Sequence, residues 1–217
     1  ANERYLVAGM GDAMATWYEA RICLNNPQAL TPIGARPTLA SCAMGEVCAH
    51  TLLEHGEAAT RAVVANVCDD SLERVVEANT LLSGIGFESG GLALAHPMAL
   101  AFTQIDRIHH NYLHGEMVAM GTLIQLVMEA SKDADKIARF FARVGLPIHM
   151  DQLSLSPTAT DALNTIIEFA LKNKNAHYMP MAVTAASLRE AMLKANDLGM
   201  KISAELGDDA YRRMHGL

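Results

Sequence analysis

The sequence is poor in aromatic residues, which make up 5% of its 217 positions, while Met alone occurs 13 times. Ala and Met favour helix, whereas the aromatic and β-branched residues are the strand formers, so the composition argues for close-packed helices rather than sheets. A surplus of positive charge is also missing. The formal net charge is −7, and the basic residues are scattered without a run of Lys or Arg, so a nucleic-acid backbone is excluded as a partner. No window approaches the roughly 20 apolar residues of a membrane span. No charged head followed by an apolar stretch opens the chain, so no secretory signal is read, and the expected location is the cytoplasm. Paired cysteines are absent too. Cys23, Cys42, Cys48 and Cys68 form no CxxC and sit among apolar neighbours, which predicts buried, reduced thiols. No GxGxxG and no phosphate-binding Gly-Lys-Ser/Thr follows a strand, so this chain offers no dinucleotide site of its own. It opens at Ala1 rather than Met, inside what reads as structure, which suggests a fragment.

What remains is a helical period along nearly the whole chain. Apolar residues make up 51% and charged residues 19%, ample for a packed core. Helices are expected over 12–24, 38–54 (entered after Pro37), 71–83, 116–130, 132–144, 158–172 and 184–206. Gly145 and Pro147 end the fifth, and Thr184 or a Ser187–Glu190 capping box opens the last. The run GIGFESGGLALAHP (84–97) places four glycines within eight residues and then a proline, and reads as an interruption of the helical pattern near 84–91. The expected architecture is one all-α domain of about eight helices covering residues 1–217.

Histidine is the informative residue type. Four of the nine cluster between 96 and 114: His96, His109, His110 and His114. Neutral imidazole joined by a carboxylate is the usual donor set of a catalytic zinc site. Spacing alone nominates His110 and His114, four residues apart on one helix face, but the surrounding RIHHNYLHGE reads equally well as a solvated loop. Asp12 read locally is a helix cap or first-turn acid. His50, His55, His149 and His215 read as ordinary surface or partly buried residues. Glu88, Ser89, Gly90 and Gly91 stand where glycine allows close backbone approach to a ligand, or simply ends a helix.

Three stretches, AGMGDAMATWYEAR (8–21), GIGFESGGLALAH (84–96) and HHNYLHGEMVAMGTLIQLVME (109–129), together resemble the C-terminal domain of glycerol dehydrogenases, within the iron-containing alcohol dehydrogenase superfamily. Weaker similarity continues through VGLPIHMDQL (144–153) and AHYMPMAVT (176–184). The resemblance implies a divalent ion, zinc with iron as the alternative, held by Asp12, His96 and His114, with no catalytic residue besides these ligands. It implies that Glu88, Ser89, Gly90 and Gly91 wall the substrate pocket. It implies an NAD-dependent polyol dehydrogenase that oxidises glycerol or a similar vicinal diol to a hydroxyketone such as dihydroxyacetone, in a homo-oligomer, with rings of eight common in the family. Thr16 stands where the iron-dependent branch commonly carries another His, which favours the zinc branch. Ala99, Leu100 and Ala101 replace the His-Asn-Gly usual in glycerol dehydrogenases, which makes the pocket more apolar and leaves the preferred substrate open. The family's N-terminal α/β nucleotide-binding domain is expected before residue 1, so the chain by itself is expected to be inactive. Two other readings stay open: a related metal-dependent glycerol-phosphate dehydrogenase or dehydroquinate synthase-like cyclase, and a non-catalytic helical oligomerisation fragment. Asp12 argues against the cyclase, whose family carries Glu at that place. A phosphorylated substrate needs nearby basic residues, and Arg107 is the one candidate.

Overall fold

The computed structural model describes residues 2–217. Among the described residues there are eleven α-helical segments and no strand, so the all-α expectation stands. α1 (Glu3–Asn25) is the central helix and packs against α2 (Leu39–Val64), α4 (Ser83–Gly90) and α7 (His114–Met128). α5 (Ala95–Phe102) lies on α7 and on α9 (Thr160–Lys172), and α10 (Ala185–Leu206) closes the far side against α7 and α8 (Ala134–Val144). The shared core holds Met10, Met14, Leu52, Met98, Phe102, Phe140 and Phe141, all fully buried. No helix is long and apolar enough to cross a membrane, among the described residues.

Most of the longer helices fall where their periodicity puts them, and their caps set the ends. Thr38 accepts the amide of Ser41 at the start of α2, and Asp69 that of Leu72 at the start of α3 (Asp70–Glu77). Thr184 rather than Ser187 caps α10, in a reciprocal pair with Ser187. α1 begins at Glu3, capped by Asn2 and nine residues earlier than expected, so Asp12 is mid-helix and caps nothing.

The glycine-rich stretch corrects the sequence reading. α3 runs through one π-helical turn, Ala78–Leu82, directly into α4, and the chain stays helical to Gly90. Helical glycine costs about 1 kcal/mol each relative to Ala, but here it is a packing device. A Cβ on Gly86 would stand 2.4 Å from the Thr16 methyl and one on Gly90 would stand 2.8 Å from the Ala20 methyl, so bare backbone lets α4 lie directly on α1. The helix stops at Gly91, whose φ of +93° few other residues adopt. Pro97 likewise ends nothing. It is the third residue of α5, in the first turn, where a missing N–H costs no intrahelical bond. The remaining helices beyond expectation are short: α6 (Asp106–Asn111) and α11 (Asp209–His215).

Cys23, Cys42 and Cys48 are buried free thiols as expected, while Cys68 is exposed. Burial pushes the Cys48 thiol up to about 12, which keeps it protonated and inert. His149 is more deeply buried than the surface or partly buried placement expected of it. It is buried behind α10, and neither ring nitrogen has a hydrogen-bond partner. Burial lowers its pKa, against an opposing pull from Asp208 and Asp151. Folding therefore keeps a proton off this ring. Stability is at its full value above the ordinary imidazole range and declines as pH falls below about 6.5, until the folded ring protonates as well. Denaturant unfolding between pH 8 and pH 5 should show a shallower acid decline in His149→Met than in the unchanged chain. Parallel curves would refute that assignment.

Candidate metal centre

Three elements bring the site together. α1 supplies Asp12, the second residue of α5 supplies His96, and the first residue of α7 supplies His114. Their ligand atoms, one carboxylate oxygen and two ring nitrogens, all lie within 4.8 Å of one another. His96 Nε2 is 3.2 Å and His114 Nε2 is 3.9 Å from Asp12 Oδ1. Donors around a tetrahedral zinc with bonds near 2.1 Å stand about 3.4 Å apart, so these two separations straddle that value. The donor types and spacing fit a divalent ion.

Local chemistry explains each placement. His96 sits in the first turn of α5, which begins inside the core, where no water reaches the unpaired N–H groups of a helix start. Two buried side chains take them. Gln125 Oε1 accepts from Leu94 and Ala95, each at 3.0 Å, while its Nε2 donates to the Tyr18 carbonyl at 2.9 Å. Glu19, fully buried, accepts from the amides of Ala93 at 2.9 Å and His96 at 3.1 Å. The His96 Nδ1–H donates to the other Glu19 oxygen at 2.5 Å.

His114 is half-exposed at the mouth and opens α7. The Glu116 carboxylate folds back onto the Leu113 amide at 2.8 Å and is gripped by the Arg4 guanidinium through two 2.7 Å bonds. This partly buried pair anchors the start of α7 to the start of α1. Directly beside the ligands the two helices touch backbone to backbone. A Cβ on Gly115 would meet the Ala8 carbonyl oxygen at 1.8 Å, and one on Gly11 would meet the Gly115 carbonyl oxygen at 2.5 Å. Glycine at both places sets the Asp12–His114 spacing.

Electrostatics separate the three donors. Burial would raise the Asp12 carboxyl, but hydrogen bonding and charge from His96, with His114 adding, hold it below the usual carboxylate range. Burial would lower His96, yet Glu19 and Asp12 outweigh it and raise the ring to about 10. His114 is lowered, chiefly by burial, with Asp12 opposing and His96 assisting. The triad therefore carries Asp12 as an anion and His114 as a neutral ring. Filling it with a cation requires release of one proton from His96.

The three donors line a cavity of about 450 Å³ together with Thr16, Asn79, Ser83, Gly84, Phe87, Leu92 and Leu100. Part of the lining is polar. The Thr16 and Ser83 hydroxyls are 3.0 Å apart, and Asn79, in the π-helical turn, donates from Nδ2 to the Leu6 carbonyl at 3.2 Å while its Oδ1 has no partner. The apolar part of the lining is Phe87, Leu92 and Leu100. Phe87 stacks at a tilt on His96, with 5.6 Å between ring centres.

The expectation that Glu88, Ser89, Gly90 and Gly91 wall the pocket is corrected. None of the four lines this cavity. Glu88 is exposed, the Ser89 carbonyl takes the Ser41 hydroxyl at 2.7 Å, and Gly90 and Gly91 pack on Ala20 and Cys23. They pin the end of α4 to α1 and α2, and the lining comes from their neighbours Phe87 and Leu92. His109 and His110 are exposed on α6, and His110 Nδ1 is 2.7 Å from the Asp106 carbonyl oxygen. Arg107 is spent on the Ser154 carbonyl. Glu19 and Asn79 went unread as site residues. Glu19 had a signal: it lies seven residues after Asp12, two turns along one helix face, as an acid within an apolar segment.

No family model matches the chain. It is 43% identical over 208 residues to a glycerol dehydrogenase of Escherichia coli O6:H1, covering 94% of this chain and 56% of that protein. It is 41% identical to a glycerol dehydrogenase of Citrobacter freundii, covering 93% and 55%. A crystal structure of a probable glycerol dehydrogenase from Sinorhizobium meliloti superposes with a TM-score of 0.87 at 33% identity, over 93% of this chain and 57% of that one. The chain is similar over nearly its whole length to part of each of these glycerol dehydrogenases. It spans a little over half the length of the curated glycerol dehydrogenases it matches.

Within this glycerol dehydrogenase-like chain the helix contact at Gly115 leaves no room for a side chain. Gly115→Ala should destabilise by about 1–3 kcal/mol through overpacking, read as a lower denaturation midpoint. Gly84→Ala, where an added Cβ meets nothing within 4 Å, should be neutral or gain about 0.5–1 kcal/mol. Equal behaviour of the two variants would contradict the close-approach argument.

Proposed function

We propose that this chain is the metal- and substrate-binding half of an NAD-dependent polyol dehydrogenase, with residues 1–217 forming its helical domain. Asp12, His96 and His114 are assigned as ligands of a divalent cation, zinc before iron. The observation that carries the reading is the convergence of one carboxylate and two imidazoles from three separate helices on one cavity. Kinship with glycerol dehydrogenases gives that convergence its chemical meaning. The reaction assigned to the whole protein is oxidation of glycerol or a similar vicinal diol to a hydroxyketone. The carbinol carbon gives a hydride to the nicotinamide, and the hydroxyl gives up a proton.

A cation bound at this site would act as a Lewis acid on the substrate oxygen and ease loss of that proton. The chain's own residues do the rest. Asp12 supplies the negative charge that draws a cation to the cavity floor. His114, neutral and at the mouth, offers a lone pair without prior deprotonation. Thr16, Ser83 and Asn79 present hydroxyl and amide groups in the lining to orient further substrate hydroxyls. Phe87, Leu92 and Leu100 exclude water from the carbon skeleton.

The phosphorylated-substrate reading loses its main support. Arg107 is engaged elsewhere, and among the described residues none of those lining the cavity is Lys or Arg. A cytoplasmic, homo-oligomeric enzyme remains the proposed context.

Elemental mass spectrometry on the purified chain is the test. About one zinc per chain is expected, lost in His114→Ala. No metal in the unchanged chain, or full retention in the variant, would overturn the ligand assignment. A chain fused to a nucleotide-binding half should oxidise glycerol in preference to glycerol phosphate.

A further inference from the structure

Glu19 spends every hydrogen bond it makes on one short stretch of chain. Oε1 takes the amides of Ala93 and His96, and Oε2 takes the His96 ring at 2.5 Å. The side chain is fully buried, and no Lys or Arg pairs with it among the described ion pairs. A residue needed only to cap α5 would have no reason to reach the imidazole as well. Gln125 caps the neighbouring amides with a neutral carboxamide and does not touch a ring.

We propose that Glu19 is a positioning residue that fixes a His96 ring proton on Nδ1 and thereby leaves Nε2, which faces Asp12 and the cavity, as the ligand nitrogen. The inference rests on the cation reading of Asp12, His96 and His114 given above. A neutral imidazole has one donor and one acceptor nitrogen, and a carboxylate can only accept. With Oε2 beside Nδ1, the proton stays on that side and Nε2 faces Asp12 at 3.2 Å. A ligand ring held this way has a set orientation before any ion arrives and a single tautomer once the ion is bound.

The geometry supplies a sharp substitution. In Glu19→Gln the carboxamide oxygen must take the Oε1 place, because two backbone N–H groups converge there. The NH2 then faces Nδ1, which becomes the acceptor, and the proton moves to Nε2 and blocks the ligand position. Both amide bonds and one bond to the ring survive, so the fold is retained. A residue acting only as a cap would give a variant that binds metal normally.

The experiment pairs zinc affinity, measured by competition with a chelator, with thermal unfolding of the metal-free chain. Glu19→Gln should bind zinc roughly 10- to 100-fold more weakly, with an unfolding temperature close to that of the unchanged chain. Unaltered affinity would overturn the proposal. Nitrogen-15 NMR of the histidine rings gives a second reading that does not depend on the variant folding. In the unchanged, zinc-loaded chain the His96 proton should reside on Nδ1, and finding it on Nε2 would also overturn the proposal. If the unchanged chain takes up no zinc, the cation reading fails on its own. The metal-free spectra then still decide the role of Glu19, which requires an Nδ1–H signal for His96 in the unchanged chain that is missing in Glu19→Gln.

Discussion

A carboxylate with no exposed surface, in the middle of a helical core, is tolerable only if its surroundings are built to accept negative charge. Around Glu19 they are. α5 starts inside the protein, and the positive end of a helix with unpaired N–H groups is a favourable place for an anion. The same amides would themselves be liabilities in a dry core without an acceptor. Glu19, Gln125, the first turn of α5 and the His96 ring therefore satisfy one another, and each would be costly alone. The orientation of His96 follows from this mutual accounting of buried polar groups. The site rests on helices rather than loops, and its central ligand is held by backbone as well as by side chain.

The second ligand spacing comes from shape rather than charge. Gly11 and Gly115 stand one residue from Asp12 and His114, and they let α1 and α7 meet at van der Waals contact of their backbones. With the helix axes that close, the distance between the two ligands depends little on rotamer choice. The Arg4–Glu116 pair holds the same two helix starts together a turn away. This explains a composition rich in Ala and Met. Small residues stand where helices cross, and flexible Met side chains fill the irregular gaps that close crossing leaves.

The helices with a clean 3.6-residue period were legible in the sequence, and α7, α8, α9 and α10 fell close to their expected places, whereas α2 runs ten residues past its expected end at 54. α4 and α5 were not, because Gly86, Gly90 and Pro97 read as breakers on local propensity. What overrode propensity was contact with Thr16 and Ala20 on α1 and a first-turn position for Pro97, neither of which a local window contains. The grouping of Asp12, His96 and His114 was invisible to spacing for a related reason. His96 and His114 belong to different helices with α6 between them, so no helical periodicity links them, and i, i+4 reasoning selected His110 instead. Motif resemblance joined Asp12, His96 and His114 where spacing could not. It also extended the pocket to Glu88–Gly91, whose glycines serve helix packing. Glu19 was within reach of plain periodicity, since a charged residue two turns from Asp12 on an otherwise apolar face asks for a buried partner.

The cavity bears on substrate choice under the proposed reading. Of the three positions that depart from the pattern usual in glycerol dehydrogenases, Ala99 and Ala101 are fully buried in α5, whereas Leu100 lines the cavity. Only one departure therefore meets a substrate directly. An isobutyl group there offers no hydrogen bond, so a hydroxyl placed against it would lose water without gaining a partner, an unfavourable exchange. Elsewhere in the lining Thr16, Ser83 and Asn79 present polar groups. A substrate matched to both kinds of lining has hydroxyls for the one and carbon for the other. That pairing favours a diol carrying an apolar end over a molecule hydroxylated on every carbon, and the side chain at position 100 is the place where that balance is set.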